Sequence, residues 1–437
     1  MLENAPNSGK KGLSKALKFL SSKDGMSFVK NLNAKYLYWD KVKYQSIPDN
    51  ISHEDLWFAI KVIRGAEAIP LKFGNFTFSF CNTDNIQREL HYFDLNIGGS
   101  LSSDNLIPAE DKNKYLISSI MEEAIASSTI EGAVSTRKKA KEMLRKNSRP
   151  RNKSEQMILN NYEGIKYILK KKDEKLSPEL LLEVHKILTH NTLDNKKNEG
   201  NFRENNDICV YDMVNSQEVY NPPDYKEIPE LINAVCDFFN YDSKEYFIHP
   251  INKGIILHFL MGFIHPFADG NGRTGRGLFY WYLLSKGYWM TEYLSISKCI
   301  LKSKAQYEKA YLYCEYDGND LTYFINYHLK AMKVAYDTLK AYIQRKIKEK
   351  NQLLSFNRIP NINERQAQIL KLFLDKPTIS LTVKEVEQRS GVTNQTARTD
   401  LVILEELGYL ENIKLNKIKQ AFVKSSKFDS LLESVGI

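Results

Sequence analysis

The run His265-Pro266-Phe267-Ala268-Asp269-Gly270-Asn271-Gly272-Arg273-Thr274-Gly275-Arg276 decides how the rest of this chain is read. The apolar stretch IILHFLMGFI before it predicts a helix that stops at His265-Pro266, because proline cannot continue it. A tight Asp-Gly-Asn-Gly turn follows, and a new helix begins near Arg273. Backbone N–H groups at a helix start, with glycines allowing close approach, form a cradle for anions. Arg273 and Arg276, three apart, share a face of the new helix and suit phosphate oxygens. Asp269 offers a hard oxygen ligand for Mg²⁺, which keeps most of its waters and bridges to phosphates. His265 exchanges a proton near neutral pH. Base, metal ligand, anion nest and paired guanidiniums together describe phosphoryl or nucleotidyl transfer. Any one of these residues reads equally well as part of a glycine-rich loop beside a packed histidine. The whole run does not.

Outward from this run the pattern is helical. Pro108 opens a helix in which Leu116, Ile117, Ile120, Met121, Ala124 and Ile125 recur at spacings of three and four. Further amphipathic stretches cover roughly 153–170, 178–190, 227–240, 251–264, 274–286, 303–314 and 321–350. One strand pair is expected near 207–221, where DICVYDMVNSQEVYN alternates around a polar turn. Residues 1–105 form a mixed region, with WFAIKVIRG as buried helix or strand and LKFGNFTFSF alternating as a strand. KEKNQLLSFNRIPNIN lacks periodicity and reads as a linker, set at 351–362. The fold class is mainly α.

Composition bounds the rest. At 437 residues two to four domains are expected, with 42% apolar and 26% charged residues. No apolar run reaches the ~20 residues needed to span a bilayer. The opening MLENAPNSGKKGLSKALKFL has no signal-peptide core, so no membrane role is expected and the cytoplasm is the expected location. Cys81, Cys209, Cys236, Cys299 and Cys314 are scattered without CxxC spacing, which argues for free thiols. The net charge is +9, and residues 341–437 carry 16 Lys+Arg against 11 Asp+Glu. That bias suits nucleic acid or simple solubility.

The 265–276 run resembles the Fic family signature HPFx(D/E)GNGRxxR at every specified position. Leu257-His258-Phe259, Gly200-Asn201-Phe202-Arg203 and Gly318-Asn319-Asp320-Leu321-Thr322 resemble flanking segments of that family. The resemblance covers about 110–330 and implies a Fic catalytic domain, set here at 106–350, with the strand pair as its flap. It implies that His265 deprotonates a Ser, Thr or Tyr hydroxyl of a target protein, and that Asp269 holds Mg²⁺ against the phosphates of ATP. Asn271 and the backbone of Gly270 and Gly272 would line the anion hole, with Thr274 and Gly275 in the same nucleotide-binding run. Arg273 and Arg276 would hold the leaving phosphates, and AMP would stay on the target. The family often has a Tyr-Tyr pair in the adenine pocket; here Tyr307 is followed by Glu308. The flap would pair with an extended target segment by strand addition. The target could be the chain itself within a homodimer.

Ser127-Ser128-Thr129-Ile130-Glu131-Gly132 resembles the family's inhibitory pattern (S/T)xxxE(G/N). The resemblance implies a helix that places Glu131 on Arg276 where a γ-phosphate would sit. Read without it, Gly132 simply stops a helix and Glu131 is solvated. Some family members use this glutamate to remove AMP instead.

Residues 363–437 read as a winged helix-turn-helix, with helices near 363–374, 383–390 and 394–407 and two short basic strands. Thr393 caps the recognition helix, whose early positions include Asn394, Gln395, Arg398 and Thr399, types suited to DNA. Ala397, Leu401 and Leu404 should face the core, and Lys414, Lys417 and Lys419 fall in the wing. A protein-contact role for this module, and a regulator whose Fic core mainly senses nucleotide, are the alternatives.

Overall fold

The computed structural model describes the chain apart from residues 1, 7–9, 99–106, 209, 212–217, 357–358, 415–419 and 437. Cys209, Lys417, Lys419 and the tip of the expected flap therefore lie outside the described residues. The chain divides into two compact units, Met1–Leu339 and Lys340–Ile437.

The first unit opens with helices α1 (Lys10–Leu20), α2 (Lys23–Asn33), α3 (Trp39–Val42) and α4 (His53–Glu67). LKFGNFTFSF is not one strand. It is a hairpin of β1 (Ala68–Phe73) and β2 (Phe76–Cys81), because Gly74 takes φ +54° and with Asn75 makes a two-residue turn. Helix α5 (Asp84–Phe93) follows. These first segments are built into the same unit as the helical core. Ser79 of β2 donates to Asn319 O and accepts from Leu321 N, and the buried Arg64 donates to Asn33 Oδ1 and Leu37 O.

The helical core comprises α6 (Lys112–Ile130), α7 (Arg137–Arg145), α8 (Lys153–Lys171) and α9 (Pro178–Thr189). After them come the short strands β3 (Val210–Tyr211) and β4 (Glu218–Tyr220), then α10 (Ile228–Asn240), α11 (Pro250–Ile264) and α12 (Asn271–Ser285). Helices α13 (Ile296–Lys302), α14 (Lys304–Tyr316) and α15 (Thr322–Phe356) complete the run. Helix α6 begins at Lys112 rather than at Pro108, after a short 3-10 turn. Helix α11 is buried on all sides, which explains why its sequence is apolar around its whole circumference apart from Asn252, Lys253 and His258. It packs along α12, and Gly275 permits this: a Cβ there would meet His258 and Met261 at 3.1 Å. Helix α15 continues to Phe356, so the first half of the segment expected as a linker is helical. Backbone propagation from the preceding turns carries the helix on, and Phe356 at its end is fully buried.

The second unit has its own core around Leu370, Phe373, Leu381, Val386, Ala397, Leu401 and Leu404. Helices α16 (Glu364–Asp375), α17 (Val383–Ser390) and α18 (Asn394–Glu406) are followed by the antiparallel hairpin β5 (Leu410–Lys414) and β6 (Gln420–Lys424), then α19 (Phe428–Ser434). Capping boxes at Asn363/Gln366 and Thr382/Glu385 start the first two helices, and Thr393 accepts from Thr396 N to start the third. This is a winged helix-turn-helix.

Candidate active site

The turn between α11 and α12 is held in an unusual backbone. His265 caps α11 at φ +48°, ψ +55°, a left-handed conformation that costs a residue with a Cβ about 1–2 kcal/mol. Surrounding contacts must therefore hold it. Its N–H donates to Met261 O, and its carbonyl accepts from Arg203 Nε at 2.9 Å. Gly270 takes φ +88°, and a Cβ there would press on Thr189 and His185. Asn271 fastens the loop from inside: Phe267 N donates to its Oδ1 at 2.9 Å, and its Nδ2 donates to Phe267 O at 2.8 Å. The Asn271 side chain, expected to line the anion hole, is thus spent on the loop, and only backbone N–H groups remain for an anion. Thr274 is likewise internal, donating to Gly270 O at 2.9 Å.

The His265 ring is left ready as a base. Nδ1 lies 3.2 Å from Gly262 O, a group that can only accept, so Nδ1 carries the hydrogen and Nε2 the lone pair. Burial pushes its pKa below the ordinary histidine value. The ring is accordingly neutral at pH 7.

The two arginines do different things. Arg273 is buried, donating to Leu188 O at 2.9 Å and lying 3.4 Å from Asp269 Oδ1, with Nε unpartnered. Arg276, also buried, faces the end of α6. Its Nε donates to Ser127 Oγ at 2.9 Å, and its Nη2 donates to Ser127 O at 3.1 Å and Glu131 Oε1 at 2.8 Å. Nη1 is buried without a partner, and a Cβ at Gly272 would lie 3.1 Å from it and collide with Glu131 Oε1. The Glu131 carboxylate therefore lies over the first turn of α12, where backbone N–H groups are unpaired. Glu131 is the C-cap of α6, and Gly132 follows at φ +92°. Tyr307 is buried and lies 3.0 Å from His258 Nε2. It belongs to an internal chain with His328, whose Nε2 is 2.8 Å from His258 Nδ1.

Asp269 is the carboxylate available for a metal. Its side chain is half exposed; Oδ1 accepts from Gly270 N, and no cluster of three His, Cys, Asp or Glu exists among the described residues. One accessible carboxylate suits an ion whose remaining ligands are phosphate and water.

Two residues prove central that reading the sequence left aside or only quoted. His185 lies flat on Phe267, ring centroids 3.7 Å apart. Gly200 N donates to its Nδ1, so its Nε2–H donates to Asp269 O at 2.8 Å. Burial pushes its pKa down to about 4. On sequence it is a lone histidine in an apolar helix, which carries no signal. Arg203 holds His265 O, Asn205 O, Asn206 Oδ1 and Pro223 O, so one guanidinium joins the His265 turn to both roots of the strand pair. Strands β3 and β4 pair antiparallel through Val210–Tyr220 and Tyr211–Glu218. Tyr220 donates to Phe263 O at 2.9 Å, fixing β4 against the last turn of α11.

Residues 175–283, from α9 to α12, match the model of the Fic/DOC family. The chain carries a Fic/DOC domain. Residues 365–414 match a DeoR-like helix-turn-helix domain. The chain is 30% identical over 135 residues to the protein adenylyltransferase Fic of Nematostella vectensis, covering 30% of this chain and 29% of that protein. A probable protein adenylyltransferase of Aquifex aeolicus is 40% identical over 76 residues, 17% of this chain and 23% of the other. The matched stretch thus spans less than a third of either relative's length. Among solved structures, a Fic family protein from Desulfovibrio desulfuricans matches with TM-score 0.48 and 20% identity, over 78% of this chain and 95% of that one. Fic-1 from C. elegans matches with TM-score 0.46 and 16% identity, over 78% and 99%. Among the described residues of this Fic-domain protein, no helix is long and apolar enough to cross a membrane.

Proposed function

We propose that this protein transfers AMP from ATP to a hydroxyl side chain of a protein, and that Glu131 restrains the reaction. The observation that carries the reading is the neutral His265 ring, held on a left-handed turn directly before a glycine nest whose guanidinium, Arg276, bears Glu131 at 2.8 Å. The unpartnered Arg276 Nη1 and the open N–H groups of Gly272 and its neighbours would bind the phosphates. Asp269 would hold Mg²⁺, which supplies charge neutralisation on the phosphates. The target hydroxyl gives its proton to His265 Nε2, its oxygen bonds to the α-phosphorus, and the bond to pyrophosphate breaks. A base of this kind contributes about 10²–10⁴-fold, and the fixed N–H dipoles most of the remainder. Arg273 is better described as a brace on Leu188 and Asp269 than as a second phosphate clamp.

In the resting state Glu131 supplies the negative charge that Arg276 would otherwise take from the terminal phosphate. Wild type, Glu131→Gly and His265→Ala incubated with α-labelled or γ-labelled ATP test the proposal. Label from the α position alone should appear on protein, most in Glu131→Gly and none in His265→Ala. Label from the γ position alone, or none from either in Glu131→Gly, would remove the assignment.

The helix-turn-helix unit supports a second role beside this one, binding DNA. Asn394, Gln395, Arg398 and Thr399 at the start of α18 are exposed, while Ala397, Leu401 and Leu404 on its other face are fully buried. That division is what a helix entering a major groove needs.

A further inference from the structure

Helix α6 is buried along most of its length, yet three polar residues occupy one of its faces at successive turns: Glu123, Ser127 and Glu131. Spacings of four keep such residues on the same side. Ser127 and Glu131 meet Arg276. Glu123 makes no hydrogen bond to Arg276, although it feels that charge and the Tyr280 hydroxyl of α12; it is only 4% exposed and its hydrogen bonds go to another element. Its Oε2 accepts from Ser297 N at 3.0 Å and Ser295 Oγ at 3.1 Å, and its Oε1 accepts from Ser297 Oγ. These donors belong to the first turn of α13 and the residue before it.

A carboxylate this deeply buried adds little net stability over a well-packed apolar side chain, but it tolerates only one arrangement of its partners. Sliding or rotating α6 would strand it without its donors. Other polar ties of α6 lie on different faces: Glu122 pairs with Arg137 and Lys141 on α7 and lies 3.9 Å from Lys298 on α13, and Ser128 Oγ donates to Met157 O and accepts from Asn161 Nδ2 on α8. Beyond these ties, the end of α6 is held by Lys304 Nζ on Ile130 O at 3.3 Å. The Glu131 side chain itself is about a quarter exposed and sits on the helix's final cap.

We propose that Glu123 is the positioning residue of the brake: its bonds to Ser295 and Ser297 set the register of α6 that brings Glu131 onto Arg276. The proposal rests on the restraint by Glu131 argued above. Loss of the Glu123 anchor then frees the inhibitory helix while leaving every residue of the catalytic turn intact.

The test is AMP transfer from α-labelled ATP by the full chain as wild type, Glu123→Gln, Ser297→Ala, Glu131→Gly and Glu123→Gln/Glu131→Gly, with hydrogen exchange of residues 112–130. Glu123→Gln keeps the size but leaves one accepting oxygen where two served and sets its amide N–H against the Ser297 hydroxyl, which must turn to accept, so transfer should rise about tenfold. Ser297→Ala, which keeps the carboxylate, should give a smaller rise and covers the case in which Glu123→Gln does not fold. Both should exchange faster along α6, and the double variant should be no faster than Glu131→Gly. A merely structural residue would change the rate equally with and without Glu131. Wild-type rates in both anchor variants, or an equal rise in the Glu131→Gly background, overturn the anchor. A Glu131→Gly enzyme no faster than wild type overturns the brake itself, whatever the anchor variants do.

Discussion

Replacing Arg203 with lysine should cripple transfer without touching any group that contacts substrate. The guanidinium reaches four acceptors at once, with Nε to His265 O at 2.9 Å, Nη1 to Asn205 O at 2.8 Å and to Asn206 Oδ1 at 3.0 Å, and Nη2 to Pro223 O. A lysine ammonium is a single point of charge and cannot span them. Each hydrogen bond from a charged group contributes about 1.5–3 kcal/mol, so losing one or two weakens the clamp by roughly 1.5–6 kcal/mol. The His265 backbone, held at φ +48° against a cost of about 1–2 kcal/mol, then has reason to relax. A shift of about 1 Å in a reacting group is worth on the order of 100-fold in rate. The measurement belongs in the Glu131→Gly background, where restraint does not mask the change, with kcat and KM for ATP from α-label incorporation. A fall of about 100-fold in kcat with little change in KM is expected. A folded Arg203→Lys/Glu131→Gly enzyme with unchanged kcat would refute the clamp.

Three further outcomes follow from the same geometry. Because the neutral ring of His265 is the reactive form and burial lowers its pKa, kcat of Glu131→Gly should stay level as pH falls to 6.5 and decline only below it; an acid limb above 6.5 counts against His265. His185 has a folded pKa of about 4 against an ordinary 6.5, so its contribution, roughly 3 kcal/mol, is present above pH 6.5 and lost as pH falls towards 4. Urea unfolding of wild type should weaken over that interval, and His185→Asn should show a shallower dependence; an equal slope would contradict the assignment. Arg398→Ala in the full chain should weaken DNA binding and reduce the salt slope by about 1 in fluorescence anisotropy, and binding that ignores salt would exclude a phosphate contact.

Much of the helical order was legible because burial writes itself into spacing. The stretches expected at 153–170, 178–190, 227–240 and 251–264 are helices at Lys153–Lys171, Pro178–Thr189, Ile228–Asn240 and Pro250–Ile264. The hairpin at β1 and β2 was missed because alternation continues through a Gly-Asn turn and resembles one long strand. The continuation of α15 to Phe356 was missed because a helix propagates by backbone bonding whether or not a stripe records it. Glu123 escaped notice since one acidic residue in EEAIASSTIEG looks like an ordinary solvated position.

By itself the sequence determined the chemistry on offer: a histidine before a proline, glycines at a helix start, a lone carboxylate and two arginines, all within twelve consecutive residues. Local backbone rules act over such distances, so neighbours in the chain suffice. Only the tertiary structure decided what those groups face. It turned Arg273 towards Leu188, gave Arg276 to Glu131 across 145 residues, spent Asn271 on the loop, and placed Arg203 and His185 beneath the turn. Those partners come from helices and loops far away in sequence, and packing alone brings them together.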